Sequence, residues 1–319
     1  LTASSNGIYY QNYNLSFTEP WLGGKKPTSL SVSLYKSISS NGQSDEQREA
    51  IEITGLTIGL GKRLKYPDDY FTLYNGLNFQ QYKLINSQSF FSFRNGFSNN
   101  VNYNIKVGRN STDQIIFPRR GSNFSLSLKV TPPYSIFDGI DDYSSVSDQE
   151  KYSWIEYYKW KFKSSWFSAF TDKLVLNTRI EMGLLVAYNN DLGVAPFERF
   201  YVGGDGMSGM GYQFDGRELI SLRGYGNNTL SPQTGATIYN KYTTELRYAI
   251  SLNPGSTVYA LGFLEAGNAW DKFDNFNPFG VKRSAGFGVR IMLPMIGMMG
   301  LDYGWGLDEI PTNPDANGG

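Results

Sequence analysis

The chain has 319 residues, enough for one large β domain or two ordinary ones, and its 29 Lys plus Arg balance 29 Asp plus Glu. That balance gives neither the basic excess expected of a nucleic-acid binder nor an acidic solvating tail. Cys and His are both absent, which excludes disulfides, thiolate chemistry, His-based triads and His-ligated zinc, and so weakens most enzyme classes.

The first strand candidate covers 9–19. In "LSVSLYKS", Leu30, Val32 and Leu34 face one way and Ser31, Ser33 and Tyr35 the other. Candidates at 51–63 and 70–84 follow, then "VNYNIKV", with Val101, Tyr103, Ile105 and Val107 opposite Asn102, Asn104 and Lys106. "SNFSLSLKV" sets Phe124, Leu126, Leu128 and Val130 against Ser125, Ser127 and Lys129, and another candidate covers 152–170. In "KLVLNTRIEMGLLVAY", Leu174, Leu176, Ile180, Met182, Leu184 and Val186 share a face with Thr178. Behind them lie Val175, Asn177, Arg179, Glu181 and Gly183. The last candidates are 239–252, 257–270, 282–293 and 298–305.

Period two argues for strands with one apolar and one polar face, and helical spacing is sustained nowhere. The total is about a dozen antiparallel strands. Many exceed the ~5–6 residues of globular sheets and suit tilted membrane strands. Mean hydropathy, −0.38, taken alone suggests a water-soluble protein. A membrane barrel averages the same way, because its lipid-facing and lumen-facing residues alternate. No run approaches the ~20 apolar residues of a membrane helix. The chain opens mid-pattern on Leu1 and reads as a processed or partial chain.

Connections alternate in length. "EPWLGGKKPTS", "KYPDDY", "AFTDK", "LNPGS" and "LPMIGM" are short; "SISSNGQSDEQREA", "NSQSFFSFRNGFSNN", "PPYSIFDGIDDYSSVSDQEK" and "DKFDNFNPFGVK" are long and polar. Short turns at one end and long loops at the other fit an outer-membrane barrel. Aromatics near strand ends (Tyr9, Tyr10 and Trp21; Trp154, Tyr157, Tyr158 and Trp160; Trp166 and Phe167) fit its interfacial girdles. A soluble propeller or sandwich is the alternative; strand length and the lack of a 40–50-residue repeat count against it. The expected fold is all-β, one antiparallel transmembrane β-barrel over residues 1–319.

Three other stretches carry less. Asp138, Asp141 and Asp142 in "DGIDDYSS" lack calcium-loop spacing and read as a solvated loop. "GGDGMSGMG" has glycines without the Lys-Ser/Thr of a phosphate loop and reads as flexible backbone. In "KWKFKSSW", Lys159, Lys161 and Lys163 lie opposite Trp160, Phe162 and Ser164, a lysine-lined lumen or rim rather than a nucleic-acid surface. No metal site and no cofactor are expected.

"FERFYVGGDG" followed by "SLRGYGNN" resembles the sixth extracellular loop of the BamA-type barrels, which insert and fold β-barrel proteins in the bacterial outer membrane. The matching residues are the Arg-Gly-Tyr tripeptide Arg223, Gly224 and Tyr225, and the approach to it, Phe200, Tyr201, Gly203 and Gly204. "FPRRGS" resembles the family's Pro-x-x-Gly periplasmic turn at Pro118 and Gly121. "NLSFTEPWLGGKKP", "YTTELRYAISLNP", "ALGFLEAGNAWD" and "KRSAGFGVRIMLPMIGMMGLDYGWG" resemble further family segments, in order along nearly the whole chain. The resemblance implies a sixteen-stranded barrel type preceded by POTRA domains. About 12–13 strands would lie in this chain, which would start near the end of the third strand and stop before the last. The resemblance also implies that residues 189–238 are a long loop folded into the barrel lumen, and "MSGMGYQFDGRELI" lengthens it between the Gly-Gly pair and the tripeptide.

A poorly solvated guanidinium needs a carboxylate. In "TTELRYAISL", Leu246, Tyr248, Ile250 and Leu252 form a lipid-facing set, so Glu245 and Arg247 point inward. Glu265 is less clear, because Leu261 and Phe263 share its parity. The residues alone leave a solvated loop arginine as the plainer reading. The family resemblance instead implies that Arg223 pairs with Glu245 and Glu265, with Gly224 allowing a tight chain path and Tyr225 packing on the inner wall. It implies an assembly factor without catalysis, templating client strands at a lateral seam. Its partners would be outer-membrane lipids, unfolded β-barrel clients and accessory lipoproteins, with no nucleic acid. A two-partner-secretion pore of the same superfamily is the alternative, and a passive porin ranks behind both.

Overall fold

A computed structural model of the chain describes residues 1–24, 28–43, 47–87, 92–140, 142–206, 217–253 and 255–310. Its strands are β1 (Thr2–Asn6), β2 (Tyr10–Glu19), β3 (Thr28–Ser40), β4 (Ala50–Arg63), β5 (Phe71–Ile85), β6 (Gly96–Asn110), β7 (Arg120–Val130), β8 (Tyr158–Ala169) and β9 (Leu174–Val186). Then come β10 (Phe200–Val202), β11 (Glu218–Ile220), β12 (Ile238–Asn253), β13 (Ser256–Trp270), β14 (Lys282–Leu293) and β15 (Gly297–Gly306). Thirteen of them form one sheet in strict chain order, β1 to β9 then β12 to β15, every pairing antiparallel. The fold is the expected antiparallel barrel wall. Among the described residues, β1 and β15 pair on one side only. The short β10 and β11 form a separate parallel pair.

Alternation sets the two faces. Along β12, Leu246, Tyr248, Ile250 and Leu252 are exposed on one side, while Thr243, Glu245 and Ala249 are buried on the other. Leu56, Ile58 and Leu60 on β4 and Phe287, Val289, Leu301 and Tyr303 on β14 and β15 continue the exposed apolar face. A polar face turned inward beside an apolar face turned outward is the arrangement a lipid-embedded barrel requires. The sixteen residues of β12 exceed the ~9–11 needed to cross a membrane at a tilt, so its ends project beyond the apolar band.

Connections at one end are brief: 64–70, 170–173 and 294–296. At the other end lie 131–157 and 187–237. The 187–237 segment packs on the inner face. Its Phe197, Phe200, Val202, Leu222 and Leu230 are buried in one cluster with wall residues Ile53, Tyr82, Leu185 and Tyr239. Phe197 stacks on Tyr82 with ring centroids 4.4 Å apart, and Phe200 meets Tyr239 edge-on at 4.7 Å. This is the larger of two buried apolar clusters among the described residues.

Some boundaries differ from the sequence reading. Residues 152–170 do not form one strand. A short helix, α1 (Asp148–Lys151), precedes an irregular stretch, and the strand begins at Tyr158. Ser147 caps α1 by accepting the Glu150 N–H, so local polar bonding ends the extended pattern there. Tyr157 is not a girdle residue. It is buried, and its hydroxyl accepts from Asn100 Nδ2 at 3.3 Å. β1, all exposed and lacking large apolar residues, gave no alternation to detect. Asp141, most of the 207–220 stretch and the end of the chain fall outside the described residues. Asp138 accepts from the Tyr143 hydroxyl at 2.6 Å, and Asp142 caps a turn through the Ser144 N–H.

Candidate functional site

The register of β12 to β15 aligns inner-face residues in rows across four strands. One row reads Glu245, Phe263, Gly286 and Gly304. Towards the long loops the next reads Thr243, Glu265, Ser284 and Gly306; towards the short turns it reads Arg247, Leu261, Gly288 and Asp302. Acids therefore flank an aromatic floor. A Cβ on Gly286 would lie 2.4 Å from Phe263 Cζ, so the missing side chain lets the ring lie across β14.

Arg223 sits over that floor. Its guanidinium carbon is 3.6 Å from the Phe263 ring centroid. Nη2 donates to Glu265 Oε1 at 2.7 Å and to Glu245 Oε1 at 2.8 Å, and Nη1 reaches Asp302 Oδ2 at 3.3 Å. The Arg223 backbone N–H donates to the other oxygen of Glu265 at 2.9 Å. A planar fork that stacks on a ring while donating at its edges is a geometry that arginine supports and lysine does not.

The acids have further partners. Glu245 accepts from Arg179 at 2.6 Å and from Arg247 at 2.6 Å; Glu265 lies 3.2 Å from Lys241; Asp302 is held by both Nη atoms of Arg290. Burial works against the charge on Arg223, but the hydrogen bonds and charges of Glu265 and Glu245 outweigh it and raise its pKa above the ordinary arginine value. A polar cavity of about 910 Å³ opens beside the loop, lined by Arg179, Glu181, Lys241, Arg290 and Asp302 among others.

The chain path is tight. Gly224 has φ +92°, and a Cβ there would fall 2.7 Å from the Trp305 carbonyl carbon, so a side chain would meet both backbone strain and the wall. The Tyr225 hydroxyl donates to the Arg283 carbonyl at 2.6 Å. On the approach, Phe200 and Tyr201 are buried, and Gly204 bridges to Leu222, which brings the Gly-Gly turn against the tripeptide. Pro118 lies in the connection between β6 and β7, and Gly121 is the second residue of β7 with φ +98°. Neither touches Arg223. Phe117 beside them packs on Tyr259 in the same buried cluster as Phe263.

A second ionic cluster lies on β7 and β8. Lys129 and Lys159 are direct cross-strand partners on the inner face. The loop residue Glu198 lies between them, its Oε2 3.3 Å from Lys129 Nζ and 3.0 Å from Lys159 Nζ. Lys159 also pairs with Glu218 at 2.9 Å, and Lys161 pairs with Glu218. Burial alone would raise the Glu198 carboxyl, but Lys129 and Lys159 hold it well below the usual carboxylate range. The same balance, with Lys159 and Lys161, lowers Glu218.

Glu198, Phe263 and Asp302 were not singled out in the sequence. Glu198 stands inside the quoted "FERF", and Asp302 has parity opposite to the exposed Leu301 and Tyr303, which is the signal that finds it. Among the described residues no His, Cys, Asp and Glu group could hold a metal ion.

Residues 1–317 match the family profile described as the Omp85 superfamily domain. No curated protein sequence matches the chain. Similar solved structures include BamA from Haemophilus ducreyi lacking POTRA domains 1–3, with TM-score 0.68, 18% identity, and coverage of 95% of this chain and 60% of that one. CdiB from Escherichia coli is similar with TM-score 0.54 and 15% identity, covering 94% of this chain and 49% of that one. The chain thus spans about half to three-fifths of the lengths of these proteins.

Proposed function

This chain belongs to the Omp85 superfamily and is an integral outer-membrane barrel, and from that premise we propose that it is the barrel domain of an outer-membrane protein assembly factor. Its task would be to insert and fold β-barrel clients by pairing their strands with an edge of its own sheet. Unpaired backbone groups at a sheet edge supply the driving force, so no nucleotide or cofactor is required. In this reading residues 189–238 are a lumen loop, and accessory lipoproteins join the complex.

The observation that carries the reading is the Arg-Gly-Tyr tripeptide seated on three strands at once. Arg223 touches acids on β12, β13 and β15, and Gly224 lies against β15, which is an edge strand among the described residues. A loop bonded to β15 as well as to β12 and β13 can hold these strands in one relative position. A wall held in register on the way to a seam is what strand templating at that seam needs.

Depletion of the protein in cells tests this. Loss of many unrelated outer-membrane barrels is expected. Loss of a single secreted product, with barrel assembly intact, would favour the secretion-pore alternative and overturn the assembly reading. Complementation with Arg223→Ala should restore little assembly although the variant reaches the membrane.

A further inference from the structure

Lys129 and Lys159 face each other directly across the β7–β8 pair, an arrangement that is unfavourable unless an anion lies between them. Lys159 is almost fully buried, so solvent cannot fill that role. The anion comes from the loop. Glu198 bridges both ammonium groups, and its carbonyl oxygen also accepts from Lys159 at 2.7 Å.

The backbone of Glu198 supplies a second, independent observation. Its φ is +68°, in the left-handed region that glycine or asparagine usually occupies. A glutamate in that conformation marks a position where the side chain is needed despite the backbone strain. The wall continues the contact on the other side: Asn100 Nδ2 reaches Glu198 Oε1 at 3.4 Å, Asn102 donates to Asn100, and Asn78 donates to Asn102. Glu198 is thereby tied to β5, β6, β7 and β8.

The same loop bonds to β12, β13 and β15 through Arg223. Its two attachments have opposite polarity: a loop acid on wall lysines and a loop base on wall acids. Between them, β10 and β11 pair in parallel, and Gly204 bridges to Leu222, so the two limbs are mechanically joined.

We propose that Glu198 is a second latch of the loop and a positioning residue for Arg223, so that the loop is a strut joining the β5–β8 wall to the β12–β15 wall. Release at Glu198 then frees the tripeptide from β15 even though every partner of Arg223 is unchanged. The inference rests on the proposed role of the Arg223 contact only for its functional consequence; the mechanical linkage stands apart from it.

The chain has no cysteine, so two spin labels can be placed cleanly at Asn227→Cys on the exposed loop tip and Leu307→Cys just beyond β15. Their distance distribution is measured in the full-length protein in lipid vesicles, with Arg223→Ala as the reference for an undocked tip. Glu198→Gln keeps the side-chain shape, and Glu198→Gly relieves the backbone strain. Both are expected to enlarge the undocked population by about 5–150-fold, the usual range for linked sites. A merely structural Glu198 would leave the tip docked in Glu198→Gly, or tighten it, and that result overturns the proposal. If Glu198→Gln fails to fold, Glu218→Gln, which leaves Lys159 its Glu198 partner, gives a milder test with the same expected direction; an unchanged distribution there and in Glu198→Gly refutes the strut. An undocked tip combined with normal client assembly would refute the functional reading of Arg223 and leave the strut standing.

Discussion

The Arg223–Glu265 contact yields the sharpest energetic prediction. Glu265, with 1% of its side chain exposed, accepts from Arg223 twice, lies 3.2 Å from Lys241 and accepts from Thr243 at 3.3 Å. Five cations (Arg179, Arg223, Lys241, Arg247 and Arg290) surround four carboxylates (Glu181, Glu245, Glu265 and Asp302), an excess of one positive charge. Glu265→Gln makes the excess two and leaves the buried Lys241 bonded only to neutral oxygens, those of Ser221 and the new amide. Removing one charge of a buried ionic group costs about 3–5 kcal/mol when nothing replaces it, and the neutral oxygens that remain place this variant near the lower end. Arg223→Ala should cost no more than that, about 3 kcal/mol, because Glu245 keeps Arg179 and Arg247 and Glu265 keeps Lys241. The pair should also be coupled. Close ion pairs give coupling energies from about 1.5 kcal/mol upward, and the remaining partners place this one near that lower limit. Urea midpoints of the refolded barrel, followed by tryptophan fluorescence for both single variants and the double variant, measure all three quantities. Single-variant losses that add within about 0.5 kcal/mol would show the two groups to be independent and would refute the reasoning.

Three further outcomes are expected. Gly224→Ala should destabilise loop docking by more than about 1 kcal/mol, since φ +92° and the Trp305 backbone both oppose a Cβ, and protease cleavage of the loop should accelerate. Leu246→Arg, on the exposed apolar face, should cost about 2–4 kcal/mol in lipid if it lies near the bilayer midplane, read as a lowered urea midpoint. Asp308 is bonded by Arg283 through its guanidinium and its backbone N–H, which lowers the carboxyl to about 2 from an ordinary 3.8. A depressed folded-state pKa means that this contact contributes fully above pH 3.8 and is lost as pH falls towards 2. A carboxyl-carbon NMR titration should therefore show no change at Asp308 between pH 7 and 4; a midpoint near 4 would remove the contact.

The wall was legible because period two is a local signal, which Leu246 to Leu252 states cleanly and Leu174 to Val186 states with Thr178, Val175 and Leu185 as exceptions. The register was not, because it depends on pairing between segments far apart in sequence. That is why Glu265 looked ambiguous: its parity partners Leu261 and Phe263 are apolar yet face inward. In the fold they are the floor beneath a cation and part of the cluster with Phe117 and Tyr259. Glu198 was hidden for a different reason. Its two lysines come from β7 and β8, and a loop residue has no periodicity from which a facing wall can be read. The lysine-lined inner face of β8 was visible as alternation, but the acids that neutralise it were not.

Two physical demands meet at Arg223, and together they explain why the inner wall departs from simple alternation. A guanidinium buried to this degree needs acids at its edge, which Glu245, Glu265 and Asp302 supply from three strands. It also needs a face to lie on, and water-exposed polar residues would compete for its donors. An aromatic ring does not, because it offers a weakly negative surface and accepts no strong hydrogen bond. Phe263 can serve only if β14 and β15 leave space across the row, which is what Gly286 and Gly304 do: a Cβ at Gly304 would lie 3.0 Å from Phe263 Cζ and 3.1 Å from the Gly224 nitrogen. Acid, ring and glycines thus follow one another along a single register row, and a slip of one residue in any of the three pairings would turn one of them out towards lipid. The loop and the pairing of β12 to β15 therefore specify each other, because the tripeptide finds its acids, ring and glycines together only when all three pairings are in register.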